Sequence, residues 1–266
     1  MSTRFSDDWL HLRERADHEA RAAALLPPLT DWLGERRIHV ADLGAGTGAN
    51  LRYLARVLPA IQDWTLLDQD RTLMVEAVPP RSGISVQRRG VDLTQGDPLA
   101  ASSVDLVTAS ALLDLVSRAW LDALARSCLQ QRSAVLLALS YDGTIRWEPR
   151  AAGDELVNTL VNSHQRRDKG FGPALGPDSG PTAESVFRDH GFHTWLSPSP
   201  WRLGPEKAAL QQALLEGWVN AAVEQAPDRR QELHRWATHR RQEITTGRVS
   251  LQVGHLDLLA LPPESR

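Results

Sequence analysis

The chain has 266 residues, of which 42% are hydrophobic and 24% charged, and its formal net charge is −3 at pH 7. This composition predicts a packed globular core, and the slightly acidic balance argues against a nucleic-acid binder, which usually carries a basic face. The single cysteine, Cys128, excludes an internal disulfide and a cysteine-based zinc site. Because the N-terminus lacks a signal-peptide core and no apolar run approaches the roughly 20 residues of a membrane helix, we expect a cytoplasmic protein without a membrane span.

Helix and strand patterns alternate along the first half of the chain. A helix is predicted over residues 6–26, with Ser6 as its N-cap and the pair Pro27-Pro28 at its end. Short apolar strands follow, with helical spacing between them, and this alternation is typical of βαβ units in a mostly parallel sheet. The predicted strands are 38–43, 64–67, 84–91, 104–109 and 134–139, and the helices among them are 51–58 and 117–129.

The second half of the chain is less regular, with glycine and proline concentrated near residues 169–177. Helical patterns nevertheless recur, and two further apolar segments alternate as strands do. The predicted helices are 182–190, 205–225 and 227–246, and the predicted strands are 192–196 and 249–261. No internal repeat interrupts this order, so the chain is expected to be one α/β unit with inserted segments.

The strongest local signal is the glycine run that follows the first predicted strand, Asp42-Leu-Gly-Ala-Gly-Thr-Gly. Glycine permits positive φ and a close approach of backbone to a ligand, and a helix N-terminus offers unpaired N–H groups. Glycines at alternate positions differ from the dinucleotide pattern, in which two residues separate the second and third glycines, so a nicotinamide oxidoreductase is disfavoured. Asp68 ends the second strand, the position from which a carboxylate accepts hydrogen bonds from both hydroxyls of a ribose.

These residues resemble the first two motifs of class I S-adenosylmethionine-dependent methyltransferases, which share a Rossmann-like α/β fold with a seven-stranded, mostly parallel sheet and a reversed last strand. The resemblance covers roughly residues 38–140. It implies that S-adenosylmethionine is the cofactor, with Gly44 and Gly46 under its methionine part. It also implies that Asp42 helps to hold the ammonium group of that methionine.

The same resemblance extends to the ends of the next strands. It implies that Asp68 binds the ribose, that Asp92 accepts a hydrogen bond from the adenine amino group, and that Leu93 packs on the adenine ring. Ala109, on the fourth strand, belongs to the same cofactor site. Taken alone, each of these aspartates could equally be a solvated turn at a strand end, and it is the ordered set that predicts a site.

With this reading the chain divides into parts with different expected roles. A single methyltransferase domain spans 1–266, and its parts are an N-terminal helical cap (1–37), a cofactor-binding core (38–140), two insertions on the acceptor side (141–180 and 204–247) and a last strand (249–261). In such open sheets the acceptor meets the cofactor at the carboxyl ends of the strands. The insertions are therefore expected to shape the acceptor pocket.

Several methyltransferase chemistries are disfavoured by particular residues. Residues 110–114 read Ser-Ala-Leu-Leu-Asp, where enzymes that methylate amino groups in DNA carry a proline-rich motif. Cys128 falls at helical spacing with Leu121 and Leu124 and is predicted to be buried rather than nucleophilic. No carboxylate set suggests a metal site. Metal-free transfer to a small-molecule acceptor is expected, and the alternatives are an RNA or protein methyltransferase and a non-catalytic subunit that keeps the fold.

Two residues are candidate bases, because a hydroxyl or protonated amine must lose a proton when it is methylated. They are Asp114, just beyond the fourth strand, and His164, in the first insertion. Residues 164–175 combine polar side chains with two glycines, as a lid does, and are predicted to cover the acceptor and not the cofactor. The competing interpretation is an exposed loop.

Three further residues are predicted to contact the acceptor. Arg166 and Lys169 could bind an anionic group from the first insertion, and Trp201 could form a wall of the pocket. Trp201 could equally pack into the core. On the N-terminal helix, Arg13, Asp17 and Arg21 are four residues apart and are predicted to form a ladder of ion pairs on one face.

Overall fold

The computed structural model describes residues 7–99 and 103–264 of the chain, and within them eight strands form a single sheet. The strands are β1 (Ile38–Leu43), β2 (Gln62–Asp68), β3 (Ile84–Gly90), β4 (Leu106–Ser110), β5 (Ala134–Glu148), β6 (His193–Pro198), β7 (Trp201–Leu203) and β8 (Ser250–Leu261). Their order across the sheet is β3-β2-β1-β4-β5-β8-β6, and β7 also pairs with β8.

The strand directions define the fold class. All neighbours from β3 to β5 are parallel, whereas β8 runs antiparallel between β5 and β6. Parallel neighbours need crossover connections, and helices provide them along the chain. The predicted Rossmann-like, mostly parallel sheet with a reversed last strand is confirmed.

The helices of the described residues lie between these strands and at the N-terminus. They are α1 (Asp7–Ala20), α2 (Leu26–Leu33), α3 (Ala49–Leu54), α4 (Arg71–Met74), α5 (Arg118–Gln131), α6 (Asp154–Gln165), α7 (Ser179–Asp189), α8 (Ala208–Gln225) and α9 (Arg230–Thr245). Ser117 caps α5 as predicted, because its hydroxyl accepts a hydrogen bond from the Trp120 N–H at 3.3 Å. None of these helices is long and apolar enough to cross a membrane.

The N-terminal helix differs from the prediction of one helix over residues 6–26. α1 ends at Ala20, and a second helix, α2, begins at Leu26. Pro27 and Pro28 occupy the first turn of α2 instead of ending a helix. Proline is tolerated there because the N–H groups of the first turn have no acceptor within the helix, so the missing N–H costs no hydrogen bond. The predicted cap, Ser6, lies outside the described residues.

β5 is longer than the prediction of residues 134–139. It continues to Glu148 and pairs with β8 along its length, with register shifts after Leu137 and Tyr141. At the first shift Leu139 adopts φ +55°, and its N–H donates to the Asp257 carboxylate at 2.7 Å. The polar sequence after Leu139 suggested that the strand ends there. Instead, the buried Asp257 carboxylate on β8 accepts the Leu139 N–H, and the strand continues.

The extension of β5 and β8 carries a second core apart from the cofactor-side sheet. Helices α6, α8 and α9 pack around it and on one another, so the two predicted insertions form one helical layer. Four of the nine tryptophans of the chain are buried there, and the ring of Trp147 meets Trp218 edge-on at 6.2 Å and Trp236 at 6.5 Å between centroids. Cys128 is fully buried on α5 under the main sheet, as predicted.

Candidate cofactor and acceptor site

A cavity of about 380 Å³ lies where β1, β2, β3 and β4 end at their carboxyl termini. It is lined by segments that follow each of these strands, by α1, and by the loop after α6. The lining residues are Leu10, Arg13, Gly44, Gly46, Asp68–Asp70, Leu73, Val91–Thr94, Ser110–Leu112, Leu115 and Asp168–Phe171. This is the edge at which ligands bind in open α/β sheets, because the crossover connections diverge there.

The glycine loop has a backbone that only glycine adopts easily. Gly44, Gly46 and Gly48 have φ values of +67°, +50° and +82°. The Gly44 N–H donates to the carbonyl of Leu67 at 2.8 Å, which ties the loop to the end of β2. A Cβ on Gly46 would lie 3.1 Å from Cδ1 of Leu10, so α1 passes directly across the loop.

Asp68 joins the end of β2 to the glycine loop. Its Oδ2 accepts the Gly46 N–H at 2.8 Å and its Oδ1 accepts the Asp70 N–H at 2.9 Å. Two main-chain donors therefore fix the carboxylate in one orientation at the cavity wall. Each oxygen keeps acceptor capacity for a ligand, since a carboxylate oxygen has more than one lone pair.

The segment after β3 supplies a polar and an apolar group side by side. Oδ1 of Asp92 accepts both the N–H and the hydroxyl of Thr94, at 2.9 and 2.7 Å, and these bonds lower the pKa of Asp92. Leu93 is largely buried, and its carbonyl accepts the indole N–H of Trp120 at 2.7 Å. Trp120 in turn meets Phe171 edge-on, with 5.7 Å between ring centroids.

Asp42 and Ala109 do not line the cavity, although both were predicted in the cofactor site. Each is only 1% exposed on its strand, behind the residues that reach the cavity. Asp42 accepts a hydrogen bond from Asn50 at 2.9 Å, and burial raises its pKa to about 7. At these two places the cavity is lined instead by Gly44 and Gly46 and, at the end of β4, by Ser110 and Ala111.

Asp114 is a buried carboxyl beside the cavity residues Leu112 and Leu115. It is 8% exposed, and burial raises its pKa to about 6, while the nearby positive charges of Arg13 and Lys169 oppose the increase. An aspartate with this pKa is ionised at neutral pH and takes up a proton more readily than an ordinary carboxylate does. It does not line the cavity itself.

His164, the other predicted base, lies on α6 away from the cavity lining. Its Nε2 is 3.1 Å from Oε2 of Glu224, and its Nδ1 is 3.5 Å from Nζ of Lys169. Burial and the positive charge of Lys169 lower the pKa of His164, and Glu224 partly opposes them. His164 is therefore placed to orient Lys169 and Glu224 rather than to meet a ligand.

The predicted lid reaches the cavity through residues 168–171 only. Lys169 lines the cavity, whereas Arg166 is exposed and paired with Asp178 at 3.0 Å. A Cβ on Gly170 would lie 3.8 Å from the Thr94 methyl group, so this segment borders the turn after β3. It thus shares one cavity with the glycine loop instead of lying apart from it.

Trp201 was predicted as a pocket wall, but the structure places it in the helical core, 3% exposed. Its indole N–H donates to Asp17 at 3.1 Å, and its ring lies under the guanidinium of Arg13, 5.0 Å from the centroid. Asp17 also accepts from Nε and Nη2 of Arg13, at 2.8 and 3.1 Å. Trp201 therefore holds Arg13, which lines the cavity, but Trp201 itself does not line the cavity.

Arg13 is the cavity residue that sequence reasoning assigned to a surface ladder. The Arg13–Asp17 pair of that ladder is present, whereas Arg21 pairs with Asp257 at 3.5 Å and donates to Asn50 at 2.8 Å. Leu10 lies one turn before Arg13 on the same face of α1, and both line the cavity. An apolar residue beside the charged pair was the sequence signal that this helical face is not simply exposed to solvent. Among the described residues, no group of three or more His, Cys, Asp or Glu is arranged to hold a metal ion.

The strand order and the position of the cavity are those of a Rossmann-like fold with a reversed last strand. No protein-family model matches the chain, and no curated protein matches its sequence. Solved structures do resemble it. The mycolic acid cyclopropane synthase CmaA1, complexed with SAH and CTAB, is 14% identical over 96% of this chain and 94% of that chain, with a TM-score of 0.52.

Two further structures show the same likeness. The cyclopropane synthase MmaA2 from Mycobacterium tuberculosis is 13% identical over 96% of this chain and 94% of that chain, with a TM-score of 0.51. A candidate methyltransferase from Bacillus halodurans is 15% identical over 91% of this chain and 100% of that chain, with a TM-score of 0.52. At these identities the comparison establishes the fold, and the chemistry of this chain rests on its own residues.

Proposed function

We propose that this chain is an S-adenosylmethionine-dependent methyltransferase that acts on a small-molecule acceptor without a metal ion. The observation that carries the proposal is Asp68: its carboxylate ends β2, is fixed by the Gly46 N–H, and faces the cavity. A carboxylate at this position suits a ribose, because it accepts hydrogen bonds from both hydroxyls.

The remaining residues of the cavity fit the same cofactor. Gly44 and Gly46 expose backbone where the methionine part would lie, and the left-handed backbone there disfavours other residues. Leu93 and Asp92 offer an apolar surface and an acceptor oxygen for the adenine. The cofactor would supply a methyl group on a sulfonium, which is already activated for displacement.

The contribution of the protein to such a transfer is to orient the acceptor, exclude water and take up a proton. Leu10, Leu112 and Phe171 surround the cavity with apolar surface, which favours exclusion of water. We assign proton uptake to Asp114, because its pKa of about 6 suits a base at neutral pH. Neither candidate lines the cavity itself, but Asp114 lies beside the lining residues Leu112 and Leu115. His164 is the weaker candidate, because it is paired with Glu224.

The covering of the cavity favours a small acceptor over RNA or protein. Leu10 and Arg13 of α1 and the segment 168–171 all line it, so main chain from two parts of the sequence lies around the ligand space. A macromolecular acceptor needs an open groove, and a polynucleotide also needs a basic surface. The intact glycine loop likewise favours a catalytic chain over a non-catalytic subunit.

Calorimetry with S-adenosylhomocysteine (SAH) and with NAD tests the cofactor assignment. We expect SAH to bind and NAD neither to bind nor to compete, because the glycine spacing differs from the dinucleotide pattern. Transfer of label from methyl-tritiated S-adenosylmethionine to low-molecular-weight acceptors then tests the activity. Tight NAD binding together with no heat for SAH would overturn the proposal.

A further inference from the structure

We propose that the acceptor carries an anionic group, most simply a carboxylate, which Lys169 binds together with Arg13. This inference names the substrate class of the proposed methyltransferase site and rests on that proposed function. The two cations come from different parts of the chain, the loop after α6 and the helix α1, and both line the same cavity. Both also lie within electrostatic reach of the Asp114 carboxyl.

Lys169 is attracted by the carboxyls of Glu224 and Asp114, but neither is close enough to form an ion pair with it. It is half-buried at the cavity, and within the described part of the chain no carboxylate forms an ion pair with it. Its Nζ lies 3.5 Å from Nδ1 of His164. Glu224, an acidic residue of the same cluster, is already bound by His164 and Arg167, at 3.1 and 3.2 Å. A charged ammonium held in this way gains from an anionic ligand.

Arg13 is held rigidly by groups that do not use all of its donors. Asp17 accepts from Nε and Nη2 of Arg13, while Trp201 lies under the guanidinium plane. Nη1 takes no part in the pair with Asp17. A guanidinium fixed in this way presents its remaining donors at little entropic cost, which suits recognition of a carboxylate.

The carboxylates of the cavity are already occupied with main-chain donors. Asp68 binds Gly46 and Asp70, and Asp92 binds Thr94. Asp168 accepts the N–H groups of Gly170 and Gly172 at 2.7 and 3.0 Å, which shapes the loop that carries Lys169. These carboxylates therefore order the turns around the cavity, and none of the three forms an ion pair with Lys169.

Four aspartates, Asp68, Asp70, Asp92 and Asp168, line the cavity together with Arg13 and Lys169. The proposal concerns the part of the cavity at the two cations. An anionic group bound there gains from Lys169, Arg13 and the sulfonium of the proposed cofactor, whereas the same three charges repel an ammonium. Leu112, Leu115 and Phe171 line the same cavity, so the acceptor is expected to combine an anionic group with an apolar body.

Calorimetric titration of the SAH-saturated protein tests this inference with four ligands of similar shape. Benzoate is the anionic probe, benzamide its neutral counterpart, benzylamine the cation, and phenyl phosphate a second anion that separates carboxylate from phosphate recognition. We expect benzoate to bind at least about ten-fold more tightly than benzamide, because a charge-assisted hydrogen bond contributes this much. Benzylamine is expected not to bind.

Variants of Lys169 then locate the preference. Lys169→Met should remove the preference for benzoate while SAH affinity changes by less than about two-fold, and Lys169→Arg should retain it. Arg166→Met is the matched control, because Arg166 is an exposed cation three residues away that pairs with Asp178 and does not line the cavity. It should leave both affinities unchanged.

Each contrary result has a distinct meaning. Equal binding of benzoate and benzamide, or no binding of benzoate, overturns the carboxylate assignment while SAH binding leaves the proposed function standing. Phenyl phosphate binding without benzoate binding replaces the carboxylate by a phosphate and also overturns it. A collapse of SAH affinity in Lys169→Met would assign Lys169 to the cofactor instead. If SAH itself does not bind, the proposed function fails and this inference fails with it.

Discussion

Replacement of Asp68 by alanine separates the two roles that the structure gives its carboxylate. Within the protein, the carboxylate accepts the N–H groups of Gly46 and Asp70, at 2.8 and 2.9 Å. In the proposed complex it also accepts two ribose hydroxyls. Asp68→Ala removes both sets, whereas Asp68→Asn keeps the shape and one acceptor oxygen and loses the charge.

The size of the expected effect follows from the kind of bond that is lost. A hydrogen bond to a charged group contributes about 1.5–3 kcal/mol, so loss of two at the lower value costs about 3 kcal/mol. This corresponds to roughly a hundred-fold rise in the Kd for SAH, since about 1.4 kcal/mol is ten-fold. The Kd of Asp68→Asn should lie between those of the unmodified protein and Asp68→Ala, with a rise of about ten-fold.

Calorimetry of SAH binding measures these affinities, at a temperature where circular dichroism shows each variant folded. Asp63→Ala is the matched control, because Asp63 lies on the same strand and its carboxylate pairs with Arg37 at 2.9 Å, outside the cavity lining. It should leave the Kd for SAH unchanged. An unchanged Kd in folded Asp68→Ala would refute the assignment of this carboxylate to the ribose.

Two further predictions concern the glycine loop and the proposed base. Gly48→Ala should lower the unfolding free energy by well over 1 kcal/mol, because φ is +82° and the new Cβ would lie 2.5 Å from Cβ of Ala77. Gly96→Ala, at φ +66° with no atom within 4 Å of the new Cβ, should cost only about 1 kcal/mol in the same thermal unfolding assay, and equal losses would contradict the packing argument. For Asp114, whose pKa burial raises to about 6, kcat/KM should rise with pH through that value, because only the ionised carboxyl accepts a proton. Asp114→Asn should lose about a hundred-fold in rate together with this limb of the pH profile, and a variant that keeps the limb would exclude Asp114 as the base.

The parts of the fold that depend on local sequence were predictable. The glycine loop follows a buried strand and opens a helix within a few residues, so its placement at the end of β1 needs no knowledge of the rest of the chain. Asp68 was placed by the strand-end rule, because the carboxyl ends of parallel strands meet at one edge of the sheet, and Asp92 was placed by the resemblance to the methyltransferase motifs. The structure puts both at the cavity.

The residues that the sequence misplaced depend on packing between distant segments. Arg13 and Trp201 are 188 positions apart, and neither role is visible until α1 packs against β7. Asp42 is a different case: its position in the motif predicts ligand contact, but it is buried and absent from the cavity lining, with Oδ1 bound by Asn50 and Oδ2 without a hydrogen-bond partner among the described residues. Helical periodicity predicts which residues share one face of a helix, but it does not predict which segment that face contacts.

The end of β5 was misjudged for a related reason. The polar residues that begin at Ser140 look like the end of a strand, yet they pair with β8, which lies more than a hundred residues later. Asp257 compensates the irregular backbone at Leu139, and it also binds Ala22 and Ser199. Such a compensating contact cannot be found from either strand alone.

The continuity of β5 and β8 has a kinetic consequence for ligand exchange. The same two strands pair in both halves of the molecule: Leu137 pairs with Leu258 in the main sheet, and Trp147 pairs with Leu251 next to the helical layer. A hinge rotation between these halves would have to shear a hydrogen-bonded ladder, which is costly. α1 and residues 168–171 are held near the cavity largely by side chains, and such segments open locally at much lower free energy. Product release and cofactor entry are therefore expected to proceed by local opening of these two segments and not by domain closure.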